Sequence, residues 1–193
     1  MFNSRIRSPM LAHCKLFFQN YSISHGYPSF PLYFCGMEFV LLCVGKTDQG
    51  EINQLIEEYS QRLKHYTKFA IHIVDDLKNT KNLSEKSQKE KEGAALQKQL
   101  KSGDRIILLD EGGKQFNSLD FSAWINKQMT SGIKRVVFIV GGPYGFSPTI
   151  YQLAHQKISL SPMTFSHQMV RLFFVEQLYR AHTILKNEPY HHQ

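Results

Sequence analysis

The chain predicts an α/β fold, a mostly parallel sheet with helices on both faces. Three observations carry that reading. Short apolar runs alternate along the chain with stretches whose apolar residues recur at helical spacing. The strand candidate at residues 136–140 is a continuous apolar run, as expected of a strand buried on both faces. Glycine-rich and serine-rich loops follow the last two of them, and that is the edge where open α/β sheets hold ligands.

The elements follow in order. Glu38–Val44 reads as the first strand. Ile52, Leu55, Ile56, Tyr59, Leu63 and Tyr66 then recur at helical spacing, with Glu57, Glu58, Arg62 and Lys64 facing out. Residues 69–74 form a second strand. Residues 75–91 are polar and Lys-rich, a mobile loop that runs into a helix near 90–100. Their charges read as a solvated face or, alternatively, as an RNA contact. Residues 105–110 are a third strand, closed by a turn at Glu111-Gly-Gly-Lys114. A helix from Ser118 buries Phe121, Ile125 and Met129. Residues 136–140 make the fourth strand, and Ser147-Pro148 supplies an N-cap and a first-turn proline for the next helix. Residues 157–161 are a short fifth strand.

The last helix, about 168–186, is apolar in nearly every direction through Met169, Val170, Leu172, Phe173, Phe174, Val175, Leu178, Tyr179, Ala181, Ile184 and Leu185. Such a helix must be covered all round. Either a partner subunit in a symmetric dimer covers it, or the chain's own loops do.

The length of 193 residues suits one domain over 37–193, with residues 1–36 as an extension. Residues 1–36 contain no Asp or Glu and show no sustained period. They read as an over-extended start, with Met37 as the initiator, or as an Arg- and Ser-containing transit segment. Cys14, Cys35 and Cys43 have neither metal nor disulfide spacing, so a reducing compartment and no metal are expected. No apolar stretch reaches the roughly 20 residues of a membrane helix.

The formal charge of +7 points to an anionic partner or to ordinary solubility. Its position matters: from Lys134 onward there are six Lys or Arg and only two acids, with five of the nine histidines. There is no G-x-G-x-x-G after the first strand, no Walker A sequence and no G-x-S-x-G elbow. Gly141-Gly-Pro-Tyr-Gly145 remains. It is a tight turn or a place where backbone approaches a ligand closely.

Taken jointly, the later segments carry a resemblance. Gly-Gly-Pro-x-Gly after the fourth strand is followed by Leu160-Ser-Pro-Met-Thr-Phe-Ser-His167. Then come Val170-Arg171, Glu176-Gln-Leu-Tyr-Arg-Ala181 and Pro189-Tyr-His191. With Val44-Gly-Lys46, these resemble the ribosomal large-subunit pseudouridine N3-methyltransferase family of the SPOUT class, over Met37 to the end.

The resemblance implies a deep trefoil knot near 141–167, a homodimer, and S-adenosylmethionine held bent in the knot. It implies large-subunit (23S-type) ribosomal RNA, within the ribosome, as partner, and a cytoplasmic enzyme. The cofactor positions it implies are Leu109, Gly142, and Ser161, Pro162, Met163, Thr164, Phe165 and Ser166, with Gly141 and Gly145 in the same turn. Backbone groups would read the adenine, and Leu109, Met163 and Phe165 would wall it. The nucleophile would be N3 of a pseudouridine. Candidates to assist its deprotonation or hold the RNA are His167, Arg171, Arg180, Tyr190 and His191. Two positions depart from the family pattern: Tyr144, often Glu or Asn there, and Ser166, often Pro. The rival from another class is a non-catalytic α/β dimer that binds RNA or a nucleotide.

Overall fold

The computed structural model describes residues 36–48, 50–77 and 83–191. The extension expected over 1–36 lies outside the described residues except for Gly36, as do residues 78–82 of the expected mobile loop. The order of elements is β1 (Glu38–Val44), α1 (Gly50–Leu63), β2 (Lys68–Val74), α2 (Glu85–Gln97), β3 (Arg105–Gln115), α3 (Ser118–Thr130), β4 (Arg135–Val140), α4 (Pro148–Leu153), β5 (Gln156–Ser159) and α5 (His167–Leu185). The five strands are all parallel, in the order β2-β1-β4-β3-β5.

The central strands explain their own composition. Successive side chains of β1 and β4 point to opposite faces, and both faces are covered. Phe39, Leu41, Cys43, Val136, Phe138 and Val140 join Ile56 and Leu63 of α1, Phe121 and Ile125 of α3, and Phe174, Val175 and Leu178 of α5. Val40, Leu42, Val44, Val137 and Ile139 join Leu96 of α2, Ile150 of α4 and Phe146 on the other side. The Phe138 ring sits 4.4 Å from that of Phe174. A strand sandwiched in this way cannot alternate apolar with polar, hence the continuous runs.

Four boundaries differ from the sequence expectation. The helix expected near 90–100 begins at Glu85, because the Ser84 hydroxyl accepts from Ser87 N at 3.2 Å and caps it earlier. The described charges of the 75–91 run are on the surface, with Asp75, Asp76, Glu85, Lys86, Glu90 and Lys91 exposed and Lys89 half-buried, while the next acid, Glu92, is buried. Glu111-Gly-Gly-Lys114 is not a turn. It belongs to β3, whose pairing with β5 jumps register between Leu109 and Lys114. A Cβ on Gly113 would lie 2.6 Å from the Ile158 backbone, so only glycine allows that approach. The fifth strand ends at Ser159, two residues early, and α5 starts at His167 because the Ser166 hydroxyl caps it. On α1, Leu55 falls outside the apolar stripe and is exposed.

No helix among the described residues is long and apolar enough to cross a membrane. Helix α5 lies between α1 and α3 on the sheet. Its Arg171, Phe174, Val175, Leu178, Ala181, His182 and Thr183 are buried, while Leu172, Phe173, Glu176, Tyr179 and Arg180 are half-buried.

Candidate active site

Strands β3, β4 and β5 are neighbours in chain direction, so their C-terminal ends open on one edge. A cavity of about 760 Å³ lies there. Its floor is the end of β3 at Leu109 and of β4 at Val140, with Ile158 of β5. Its walls are the 141–145 turn and the 160–167 segment. Leu109, Gly141, Gly142, Gly145, Ser161, Met163, Thr164, Phe165, Ser166 and His167 all line it. Of the expected cofactor positions only Pro162 does not; it stands beside them in the loop.

Both walls are held by local bonds. Gly145 N donates to Gly142 O at 3.1 Å, closing the turn. Ser159 Oγ donates to Ser161 O at 2.7 Å, and Met163 N donates to Ser161 Oγ at 2.9 Å. Thr164 Oγ1 donates to Glu111 Oε2 at 3.1 Å, which ties the loop to β3. The Phe165 ring leans on Phe173 at 4.9 Å. Met163, an apolar side chain at the cavity wall, is 69% exposed.

His167 is the first residue of α5, half-buried at the cavity wall. Burial, and then the Arg171 charge, hold its imidazole below the ordinary value, against the opposing pull of Asp76 and Asp48. It is therefore neutral at pH 7 and able to accept a proton.

Arg171, one turn further, is 2% exposed. Its Nη2 donates to Val44 O at 2.6 Å and its Nη1 to Thr47 Oγ1 at 2.9 Å. The guanidinium points at the end of β1 and is not among the residues lining the cavity.

Arg180 and Tyr190 form a second cluster. Arg180 Nε and Nη2 donate to Glu176 Oε1 at 3.1 and 2.6 Å. Tyr190 OH donates to the same oxygen at 2.9 Å, and the guanidinium lies 4.7 Å from the Tyr190 ring centre. The Tyr190 and Tyr59 hydroxyls are 3.3 Å apart. Burial first, then these hydrogen bonds, push the Tyr190 phenol up, so it stays protonated. His191 follows at the end of the described chain, half-buried. From His167 to Arg180 a helix rises about 20 Å at roughly 1.5 Å per residue. One chain therefore brings His167 to the cavity and leaves Arg180 and Tyr190 far from it.

Several cavity residues were not anticipated. Asp110 accepts from Tyr151 OH at 2.6 Å at the rim. Burial and that bond push the Tyr151 phenol up to about 12. Glu111, in the segment expected to turn, also lines the cavity. The position of Asp110 at a strand's C-terminal end was the only available signal for it; Tyr151 had none.

The two loops follow β4 and β5, which are not the neighbours expected but flank β3. A doubly covered parallel sheet with such loops around a cavity at its carboxyl edge defines the class, an α/β protein of the open-sheet type. A family profile described as "predicted SPOUT methyltransferase" matches residues 37–191. The chain belongs to that family. It is 59% identical over 157 residues to a protein of Christiangramia forsetii named ribosomal RNA large subunit methyltransferase H, covering 81% of this chain and 100% of the relative. Proteins of the same name from Flavobacterium johnsoniae and Porphyromonas gingivalis are 58% and 50% identical over the same share of each chain.

Proposed function

We propose that this chain is an S-adenosylmethionine-dependent methyltransferase acting on N3 of a pseudouridine in large-subunit ribosomal RNA. The observation that carries the proposal is the single cavity in which Leu109, Gly141, Gly142, Gly145, Ser161, Met163, Thr164, Phe165 and Ser166 meet. The membership above and the names of the relatives support it.

The cavity fits the donor on its own chemistry. Leu109, Val140, Ile158, Leu160 and Phe165 offer apolar walls for a purine, and the two loops present backbone N–H and C=O groups at its edges. Gly142 leaves the backbone bare, because a Cβ there would collide with Glu92 at 2.4 Å. Bound S-adenosylmethionine supplies a methyl group on sulfonium sulfur, an electrophile that needs no acid to leave. The protein's work is then to place N3 in line and to accept its proton. Neutral His167 at the cavity wall is positioned for that proton. Arg171 holds the α5 N-terminus against β1 and so fixes where His167 stands.

Arg180, Tyr190 and His191 belong to the same site only if a second copy brings them there. The half-buried Leu172 and Phe173 on α5 favour that arrangement, a two-fold dimer in which each tail reaches over the partner's cavity. The trefoil knot near 141–167, the cytoplasmic ribosome as setting, and 37–193 as one domain complete the proposal.

Calorimetric titration separates it from a non-catalytic RNA-binding dimer. The proposal expects saturable binding of both S-adenosylmethionine and its demethylated product. A folded protein that binds neither overturns it.

A further inference from the structure

Glu92 of α2 does not line the cavity, yet it lies against a residue that does. A Cβ built on Gly142 would sit 2.4 Å from Glu92 Oε2 and 2.9 Å from its carboxyl carbon. The next residue, Gly93, makes the approach possible: a Cβ there would meet Ser147 Oγ at 2.2 Å. Ser147 caps α4, so two successive residues of α2 seat against the segment that carries the glycine turn.

Glu92 is 4% exposed. Gln88 Nε2 donates to its Oε1 at 2.8 Å. Its Oε2 is buried without a hydrogen-bond partner, and no ion pair among the described residues reaches the carboxyl. Burial above all pushes this carboxyl up from its ordinary value, the Gln88 hydrogen bond opposes it, and the like-signed Asp76 adds to it, so the ionised form needs a nearby positive charge to favour it. A buried carboxyl left this way is costly unless a positive group answers it. Packing alone does not call for an acid here, because a Gln would fill the same volume and keep a polar contact to Gln88.

The donor of the proposed function carries a positive group. S-adenosylmethionine is a sulfonium cation; after methyl transfer the product is a neutral thioether. We infer that Glu92 is a specificity-determining residue, whose charge behind Gly142 makes the cavity prefer the cationic methyl donor to its neutral product. The inference rests on the cofactor reading above. The charge acts through the Gly142 backbone without touching the ligand, so the preference scales with distance and dielectric. A unit charge about 10 Å away at an effective dielectric near 20 changes affinity on the order of tenfold. Once the methyl group has gone, the attraction goes with it, and product release is eased.

The test is calorimetry on the full chain, comparing wild type with Glu92→Gln. Three ligands are titrated: S-adenosylmethionine, S-adenosylhomocysteine, and an analogue with an ammonium in place of the sulfonium. In Glu92→Gln both cationic ligands should bind on the order of tenfold more weakly, with the neutral product unchanged. Glu92→Met, a second neutral variant that asks for no hydrogen-bond partner, should show the same selective loss; it serves if Glu92→Gln does not fold. Equal weakening of all three ligands makes Glu92 a packing residue and overturns the inference, as does unchanged binding of all three. A wild-type protein that binds none of them overturns the cofactor reading itself, and the inference with it; that failure shows before any substitution is made.

Discussion

Arg171 in the last helix donates to the Val44 carbonyl at the end of the first strand, at 2.6 Å. The two residues are 127 positions apart, and their bond closes the fold between its first and last elements. Arg171 is 2% exposed, so its charge is answered by the Val44 carbonyl, the Thr47 hydroxyl and little else.

Removing that guanidinium strands the Val44 carbonyl and leaves a cavity beside α5. Arg171→Ala should therefore destabilise the fold by about 2–4 kcal/mol. Chemical denaturation measures this. A loss within about 0.5 kcal/mol, the range of an ordinary surface change, contradicts the pinning role. Donor affinity should fall too, because His167 and the 160–166 loop lead straight into the pinned helix.

Gly142→Val should abolish binding of S-adenosylmethionine and leave the fold intact. The new side chain must either push into Glu92 or move the turn into the cavity. Titration calorimetry, with circular dichroism as the check on folding, decides it. Unchanged affinity in a folded variant removes the 141–145 turn from the site.

Arg180, Glu176 and Tyr190 form one network well away from His167 along α5. Deleting residues 190–193 should spare donor binding and lower methyl transfer by about 100-fold or more, as expected when a positioning group is lost. Mixing that truncation with Gly142→Val should recover one working site per dimer, since one copy keeps the tail and the other the cavity. Full activity in the truncated enzyme would remove Tyr190 and His191 from the chemistry.

His182 is buried in the core, its ring 5.8 Å from Phe39 and 6.0 Å from Tyr66. Burial, and then Lys186, lower its pKa to about 4 from an ordinary 6.5. The sign follows from proton binding: below pH 6.5 the unfolded chain takes up a proton that the folded chain refuses. Stability from this residue is complete above 6.5 and is lost as pH falls toward 4, at up to about 1.4 kcal/mol per pH unit. His182→Phe should flatten the acid limb of a stability-against-pH curve. An unchanged limb shows that other groups control it.

The strands were readable from the chain because β1 and β4 are covered on both faces, which leaves runs such as residues 136–140 no polar position. The continuation of β3 through Glu111, Gly112, Gly113 and Lys114 was not readable. Two glycines in succession look like a turn, and the Ile158 backbone that requires Gly113 lies 45 residues away in sequence. The start of α2 was hidden because Ser84 stands in a polar run where no apolar period marks the first turn. Most of the candidate site was legible, since the loops after β4 and β5 carry it in consecutive residues. Its outer parts were not: Tyr151 with Asp110, and Glu92 behind Gly142, are pairs formed only by packing. Arg171 showed the opposite difficulty, a basic residue beside a loop that turned out to face the core.

The central claim is methyl transfer to a pseudouridine, and one measurement addresses it. The purified protein is incubated with methyl-labelled S-adenosylmethionine and, in parallel, with free large-subunit RNA, isolated subunits and whole ribosomes prepared without the modification. The RNA is then digested to nucleosides. The account predicts one labelled N3-methylpseudouridine per large-subunit RNA in at least one of the three, and none with the Gly142→Val protein. Absence of label from all three, with a folded protein that binds the donor, or label on any other nucleoside, contradicts it.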